Sequence, residues 1–161
     1  MEIVPIHFDH PDARKLNDTV LQEYTERYGD PEGDATPLDA AMFQPPRGLY
    51  LLARDDEGRP LATGGWRSMD AGEENYADGD AELKRMFVVR EARGQGLARR
   101  ILAMLEDDAR LAGRVRMVLE TGIEQPEAIA LYTSSGYEPA EAKFGHYRFM
   151  NESRCYVKRL R

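Results

Sequence analysis

Cysteine is almost missing from this chain of 161 residues: Cys155 stands alone. A single thiol excludes an intramolecular disulfide framework and fits a reducing compartment, so a cytoplasmic location is expected. Long apolar runs are missing too; none approaches the roughly 18 residues that suggest a membrane span. The opening Met1-Glu2-Ile3-Val4-Pro5-Ile6-His7 has neither a basic segment nor an apolar core, and no signal peptide is read there. Histidine is scarce, and His7, His10 and His146 show no metal-ligand spacing, so no metal is expected. Positive charge is in short supply: 22 Lys and Arg face 29 Asp and Glu, a formal net charge of −7. That balance disfavours a general nucleic-acid backbone binder. It is compatible with a cationic substrate, although acidity by itself mostly serves solubility.

What remains is an ordinary soluble balance, 42% hydrophobic and 32% charged. The length suits one domain spanning 1–161, large enough for a proper core. The chain is organised around Glu82 to Arg100. Leu83, Met86, Phe87, Val88 and Val89 supply strand chemistry, Gly94 and Gly96 punctuate it, and a helical period follows. Leu97, Ile101 and Leu105 form one stripe, with Ala98, Leu102 and Ala109 beside it. Glycines allow a ligand close to the main chain, and the first N–H groups of a helix favour negative charge. Arg93, Arg99 and Arg100 add positive charge. The turn reads either as an anion seat for a phosphate group or as a plain strand-to-helix connection.

Two phosphate motifs are excluded. No Gly-x-x-x-x-Gly-Lys-Ser/Thr run exists, and a dinucleotide fingerprint would need a small residue where Arg99 stands. Arg93-x-x-Gly96-x-Ala98 after an apolar strand instead resembles the acetyl-CoA pyrophosphate loop of the GCN5-related N-acetyltransferases, Arg/Gln-x-x-Gly-x-Gly/Ala. A second segment, from Glu120 to Tyr137, is similar to that family's Asn-x-x-Ala-x-x-Leu-Tyr-x-x-x-Gly-Phe/Tyr, with Gln125 replacing the usual asparagine.

The remaining pattern supports the same architecture. A β-like run at Glu2–His7 precedes an amphipathic helix from Pro11 to Tyr28, which Gly29, Pro31 and Gly33 end. The irregular stretch to Pro46, with one helical turn at Leu38–Phe43, reads either as a cover for a site or as a surface connection. Strands are expected at Leu49–Ala53 and Pro60–Trp66, joined by a hairpin turn. An acidic loop from Asp70 to Asp80 leads to a strand at Ala81–Val89, and the helix after the glycine turn ends near Ala112. A strand at Val115–Thr121, a helix opened by Gln125-Pro126-Glu127 and ended by Gly136, a strand from Tyr137 and another at Ser153–Leu160 complete the chain. The order β-α-β-β-β-α-β-α-β-β matches the GCN5-related acyltransferase fold. That fold is a mixed α/β arrangement of about seven strands with helices on both faces.

The resemblance implies direct transfer of an acetyl group from acetyl-CoA, the cosubstrate, to a primary amine. It places the cofactor against Met86, Phe87, Val88, Arg93, Gly94, Gln95, Gly96, Leu97, Ala98, Arg99 and Gln125. A backbone N–H near Val88 would steady charge developing on the thioester oxygen. An ammonium group with a pKa of about 10.4 must first lose a proton. Glu120 shares a strand face with Val118, and reads either as a base whose pKa partial burial would raise or as a salt-bridged or capping carboxylate. It aligns with the base of ribosomal-protein alanine acetyltransferases, whereas Glu82 lies where other members carry theirs. Tyr132 matches the family's tyrosine, which would protonate the leaving thiolate; without the motif it reads as a core aromatic. Trp66 and Arg67 stand where an acceptor pocket could be lined, although a packed tryptophan is commoner. The acidic loop reads either as a solvated connection, the commoner case for a charge run, or as a field that steers a cationic amine. Expected partners are a small-molecule or peptide amine, with no nucleic acid, no membrane and a homodimer left open. The rival class is a non-catalytic acyl-CoA-binding sensor or interaction module.

Overall fold

A computed structural model describes residues 1–28, 36–122 and 126–161. Among the described residues, seven strands form one sheet: β1 (Glu2–Pro5), β2 (Gly48–Arg54), β3 (Pro60–Met69), β4 (Asp80–Val88), β5 (Arg116–Gly122), β6 (Glu138–Pro139) and β7 (Ser153–Arg159). Their order is β1-β2-β3-β4-β5-β7-β6. Every neighbouring pair is antiparallel except β4 and β5, the pair joined through a crossover helix. Three α-helices among the described residues accompany the sheet: α1 (Pro11–Tyr28), α2 (Leu97–Leu111) and α3 (Pro126–Ser134). Seven strands with helices on both faces are the architecture the sequence pattern implies. The strand expected from Tyr137 shrinks to Glu138–Pro139, because the proline ends it and residues 140–152 turn instead.

The helices lie where their apolar residues dictate. α2 buries Leu97, Ile101, Leu102, Leu105 and Ala109 in the main core, together with Leu51, Trp66, Leu83 and Leu119. α3 adds Tyr132 to that core. α1 packs Ala13 with Phe43 and Tyr50 in a separate cluster. Because Tyr50 and Leu51 are consecutive strand residues, α1 and α2 cover opposite faces. Gly113 closes α2 as a left-handed residue: its N–H donates to Arg110 O at 3.0 Å, and Arg114 N–H donates to Ala109 O at 2.9 Å. A third cluster, Tyr76, Val118, Phe144 and Cys155, fills the face opposite α2 further along the sheet.

One irregularity organises the site. β4 and β5 pair only at Asp80–Arg116, Ala81–Met117 and Glu82–Val118. On the other side of β4 the register with β3 shifts, Gly65 facing Lys84 while Thr63 faces Phe87. Arg85 and Met86 therefore oppose the single residue Gly64, which is a β-bulge. Arg85 adopts φ 60°, a costly value for a side-chain-bearing residue. The Thr63 hydroxyl donates to Arg85 O at 2.8 Å and holds the bulge. A bulged strand bends, and β4 leaves β5 from this region onward.

Candidate active site

The gap between the diverging strands opens into a cavity of about 860 Å³. Its walls come from Leu83–Val88 on β4, Leu119–Thr121 on β5, the glycine turn, α3 and one side of α1. The volume falls in the range of small-molecule and cofactor sites.

The glycine turn forms the charged end. A short 3-10 turn at Arg90–Ala92 precedes it, and Gly94 and Gly96 both take φ +79°. A Cβ built on Gly96 would meet nothing within 4 Å, so the space above it is open to a ligand. Gly96 caps α2 and, having no side chain, offers no cap hydrogen bond to the first N–H groups of that helix. The N–H groups of a helix start, an open approach and a dipole of the right sign suit this turn to an anion. Arg93, Gly94, Leu97, Ala98 and Arg99 line the cavity. Gln95 is exposed beside them, and Gln125 lies outside the described residues.

Met86, Phe87 and Val88 form the opposite wall. Val89 N–H donates to Leu61 O at 2.9 Å, while Val88 faces Ala62. By the alternation of an antiparallel ladder, the N–H and C=O of Val88 then point away from β3, into the gap. The carbonyl accepts from Arg93 Nε at 3.0 Å. Thus a main-chain donor faces the cavity where a strand neighbour would ordinarily sit.

The two expected carboxylates have different surroundings. Glu82 is fully buried and does not line the cavity. Arg67 Nε and Nη2 both lie 2.8 Å from its Oε1, and the Tyr76 hydroxyl donates to Oε2. Burial and then the Glu82 charge push the Tyr76 hydroxyl well above the usual tyrosine range. Glu120 does line the cavity. Its Oε2 accepts from Tyr147 N–H at 3.0 Å, with Ser153 Oγ at 3.5 Å. Gly145 lets the chain pass this close: a Cβ there would stand 2.0 Å from Glu120 Oε1. Tyr132 is buried, lines the same cavity, and packs edge-on to Tyr137 with ring centroids 5.5 Å apart.

Other expectations are redirected. Trp66 is a core residue whose indole N–H donates to Asp108 at 2.9 Å, and Arg67 is committed to Glu82. Neither lines the cavity. The acidic loop is largely neutralised from within: Arg114 sits 3.1 Å from Asp70, Arg116 grips Asp80 at 2.8 Å, and Arg148 approaches Glu74 at 3.6 Å. Asp78 accepts from Ala71 N–H at 2.8 Å. Its carboxylates build the turn. The start of the stretch expected as a cover, residues 29–35, lies outside the described residues, and the helical turn within it is a 3-10 turn at Ala40–Phe43.

Sequence reasoning missed the contribution of α1. Asn17, Asp18, Val20, Leu21 and Glu23 line the cavity, and Glu23 holds Arg93 Nη2 through both oxygens at 2.8 and 2.9 Å. Glu26 pairs with Arg90 at 3.2 Å in the same manner. The signal was a shared spacing: two glutamates three apart on the helix meet two arginines three apart at the turn. It becomes readable only once the two segments are known to be neighbours.

The fold and the anion seat beside a splayed parallel pair define an acyl-CoA-dependent transferase. Consistently, the acetyltransferase (GNAT) family profile matches residues 14–137. An IAA acetyltransferase of Azospirillum brasilense is 37% identical over 140 residues, covering 82% of this chain and 84% of that protein. The solved structure of a candidate acyl-CoA N-acyltransferase from Klebsiella pneumoniae superposes with a TM-score of 0.79 at 28% identity, covering 99% of this chain and 97% of its own. An aminoglycoside 6'-N-acetyltransferase solved with coenzyme A shares the fold, with a TM-score of 0.66 at 13% identity over 100% of this chain and 98% of that one. The chain belongs to the GNAT family of acetyltransferases. It is an N-acetyltransferase that uses acetyl-CoA, and the catalytic reading prevails over a silent binding module.

Proposed function

We propose that the amine of a small molecule or peptide enters the cavity on the Glu120 side and is acetylated there by direct attack. The observation that carries this reading is that Glu120, Tyr132 and the glycine turn border one continuous cavity. Acetyl-CoA supplies the activated acetyl group, its pyrophosphate suited to the donors at the start of α2. Glu120 accepts the proton that the ammonium must shed, and the Tyr147 N–H and Ser153 hydroxyl keep its carboxylate oriented. The Val88 N–H, facing the gap, donates toward the oxygen on which negative charge grows. Tyr132 is the proton source for the departing thiolate, since a tyrosine hydroxyl keeps its proton at neutral pH. Glu82, locked by Arg67 and Tyr76, is assigned to structure and not to proton transfer.

A cytoplasmic setting fits the buried Cys155 thiol, and no helix among the described residues is long and apolar enough to cross a membrane. The test is thiol release from acetyl-CoA across a panel of small amines and peptide N-termini, repeated with Tyr132→Phe. The variant is expected to keep the CoA-induced rise in Tm while kcat falls roughly ten-fold to ten-thousand-fold. Loss of the CoA effect in step with kcat would make Tyr132 a packing or cofactor residue instead.

A further inference from the structure

Arg85 is the odd arginine of this protein. Six other arginines of the described chain are buried or half-buried, and each has a carboxylate within 4.0 Å: Arg54, Arg67, Arg110, Arg114, Arg116 and Arg148. Arg85 is half-buried, lines the cavity, and forms no ion pair among the described residues. Its Nε is buried without a hydrogen-bond acceptor. Leaving a guanidinium partly desolvated and unmatched is costly, and a charge in that condition calls for an anion. The backbone adds to the argument. Arg85 sits in the β4 bulge at φ 60°, pinned by the Thr63 hydroxyl on its carbonyl, so a strained conformation is maintained at this residue. The oxygens of Asn17 and Tyr50, buried without a hydrogen bond of ordinary geometry, add polar character nearby.

We propose that Arg85 is the residue that recognises the acceptor, by binding a carboxylate carried on the same small molecule as the reacting amine. This rests on the reading above, in which Glu120 receives the amine. Arg85 and Glu120 border the cavity from β4 and β5, the two strands that part around it. A cation on one wall and a carboxylate on the other complement a zwitterion, with its ammonium toward Glu120 and its carboxylate toward Arg85. A guanidinium offers a planar pair of donors to a carboxylate, which gives direction as well as attraction. The acceptor class is therefore an amino acid or an amine-bearing carboxylic acid. A plain polyamine would place positive charge against Arg85.

The experiment uses the full chain with matched probes: free amino acids and their carboxamides, offered at fixed acetyl-CoA. Wild-type protein is expected to favour the carboxylate of at least one pair by about ten-fold or more in kcat/KM. Arg85→Gln should collapse that preference by raising KM for the carboxylate about ten-fold, leaving kcat, the carboxamide and the CoA-induced Tm shift nearly unchanged. Arg85→Lys should restore part of the preference, which a merely structural role would not do. Equal use of both members of every pair by wild type, a preference for carboxamides, or a preference unaltered in Arg85→Gln would overturn the proposal. A lost CoA effect in Arg85→Gln would overturn it too, moving Arg85 to the cofactor. A second readout is the further Tm rise of the CoA complex on adding each probe. Should no probe yield thiol, the proton-transfer reading fails on its own. The carboxylate-specific Tm rise, present in wild type and absent in Arg85→Gln, still decides for Arg85, and its absence in wild type decides against.

Discussion

From Asp80 to Glu82, β4 is flanked by paired strands on both sides and its charges are matched: Asp80 with Arg116, Glu82 with Arg67. From Leu83 to Val88 the same strand loses β5, carries a bulge and borders the cavity. The first half spends its polar groups on holding the sheet together. In the second half Val88 N–H faces open space and the Arg85 cation is left unmatched among the described residues. Chemistry becomes available where the ladder is interrupted, because a fully paired strand has no main-chain groups to offer a ligand. The comparison extends to β5, where Val118 is the last residue paired with β4 and Glu120 is two residues beyond.

The sharpest way to break this contrast is to remove one charge from each side of it. Glu120→Gln should lower kcat by about 10²–10⁴-fold, the range for a lost general base, and flatten the acidic limb of the pH–rate profile. Its fold should survive, as a glutamine oxygen can still accept from Tyr147 N–H. Glu82→Gln should do the opposite. It strands the buried Arg67 without its carboxylate, a loss of about 3–5 kcal/mol by analogy with broken buried pairs, visible as a lowered denaturation midpoint. Steady-state rates and urea unfolding on both variants are the measurements. A stable Glu82→Gln with a collapsed rate would transfer the base to β4 and dissolve the contrast.

Next in size is the anion seat. Saturation with CoA at about 100 times its Kd stabilises the folded state by about 2.7 kcal/mol. Gly96→Val should erase that gain. The Cβ would enter the open space above the turn, and φ +79° is unfavourable for a branched residue. Comparing the Tm of the variant with and without CoA separates the lost ligand effect from the variant's own strain. An undiminished CoA shift would move the phosphate away from α2.

Much of this was legible in the residues. The helix of α1 follows from Pro11 and the spacing of Ala13, Leu16 and Val20; the α2 stripe and the Gly113 stop were equally plain. These are local patterns whose period or cap announces itself. The glycine turn, Tyr132 and Glu120 were readable because two motifs occur in order, and the structure brings them to one cavity. The rest depended on contacts distant in sequence. No periodicity in Leu83–Val88 reveals a bulge at Arg85, since it is defined by the register with the strand opposite and held by the Thr63 hydroxyl, 22 residues away. The pairing of Glu23 with Arg93 spans 70 residues. The acidic loop depended on distant contacts in the same way: its charges are tied to Arg114, Arg116 and Arg148, residues far along the chain.

That loop supplies the smallest effect and a clean sign. The Gly79 N–H, with help from Arg114, holds the Asp70 carboxyl below its usual range, outweighing a modest desolvation penalty. A depressed folded-state pKa means stability that is present above the unfolded value of about 3.9 and lost as pH falls through the lower folded value. Asp70 is mostly exposed, so the contribution belongs to the weak surface class of about 0–1 kcal/mol. Asp70→Asn should therefore lower the denaturation midpoint slightly at pH 7, and that penalty should shrink as pH falls from the unfolded pKa toward the lower folded one. Because the carboxylate is engaged with Gly79 and Arg114, the same variant should leave KM for a cationic amine unchanged at low salt. A rise in KM that fades with added salt would show the loop steering substrate after all. The chemical half of β4 would then have to be enlarged to include the acidic turn that leads into its structural half.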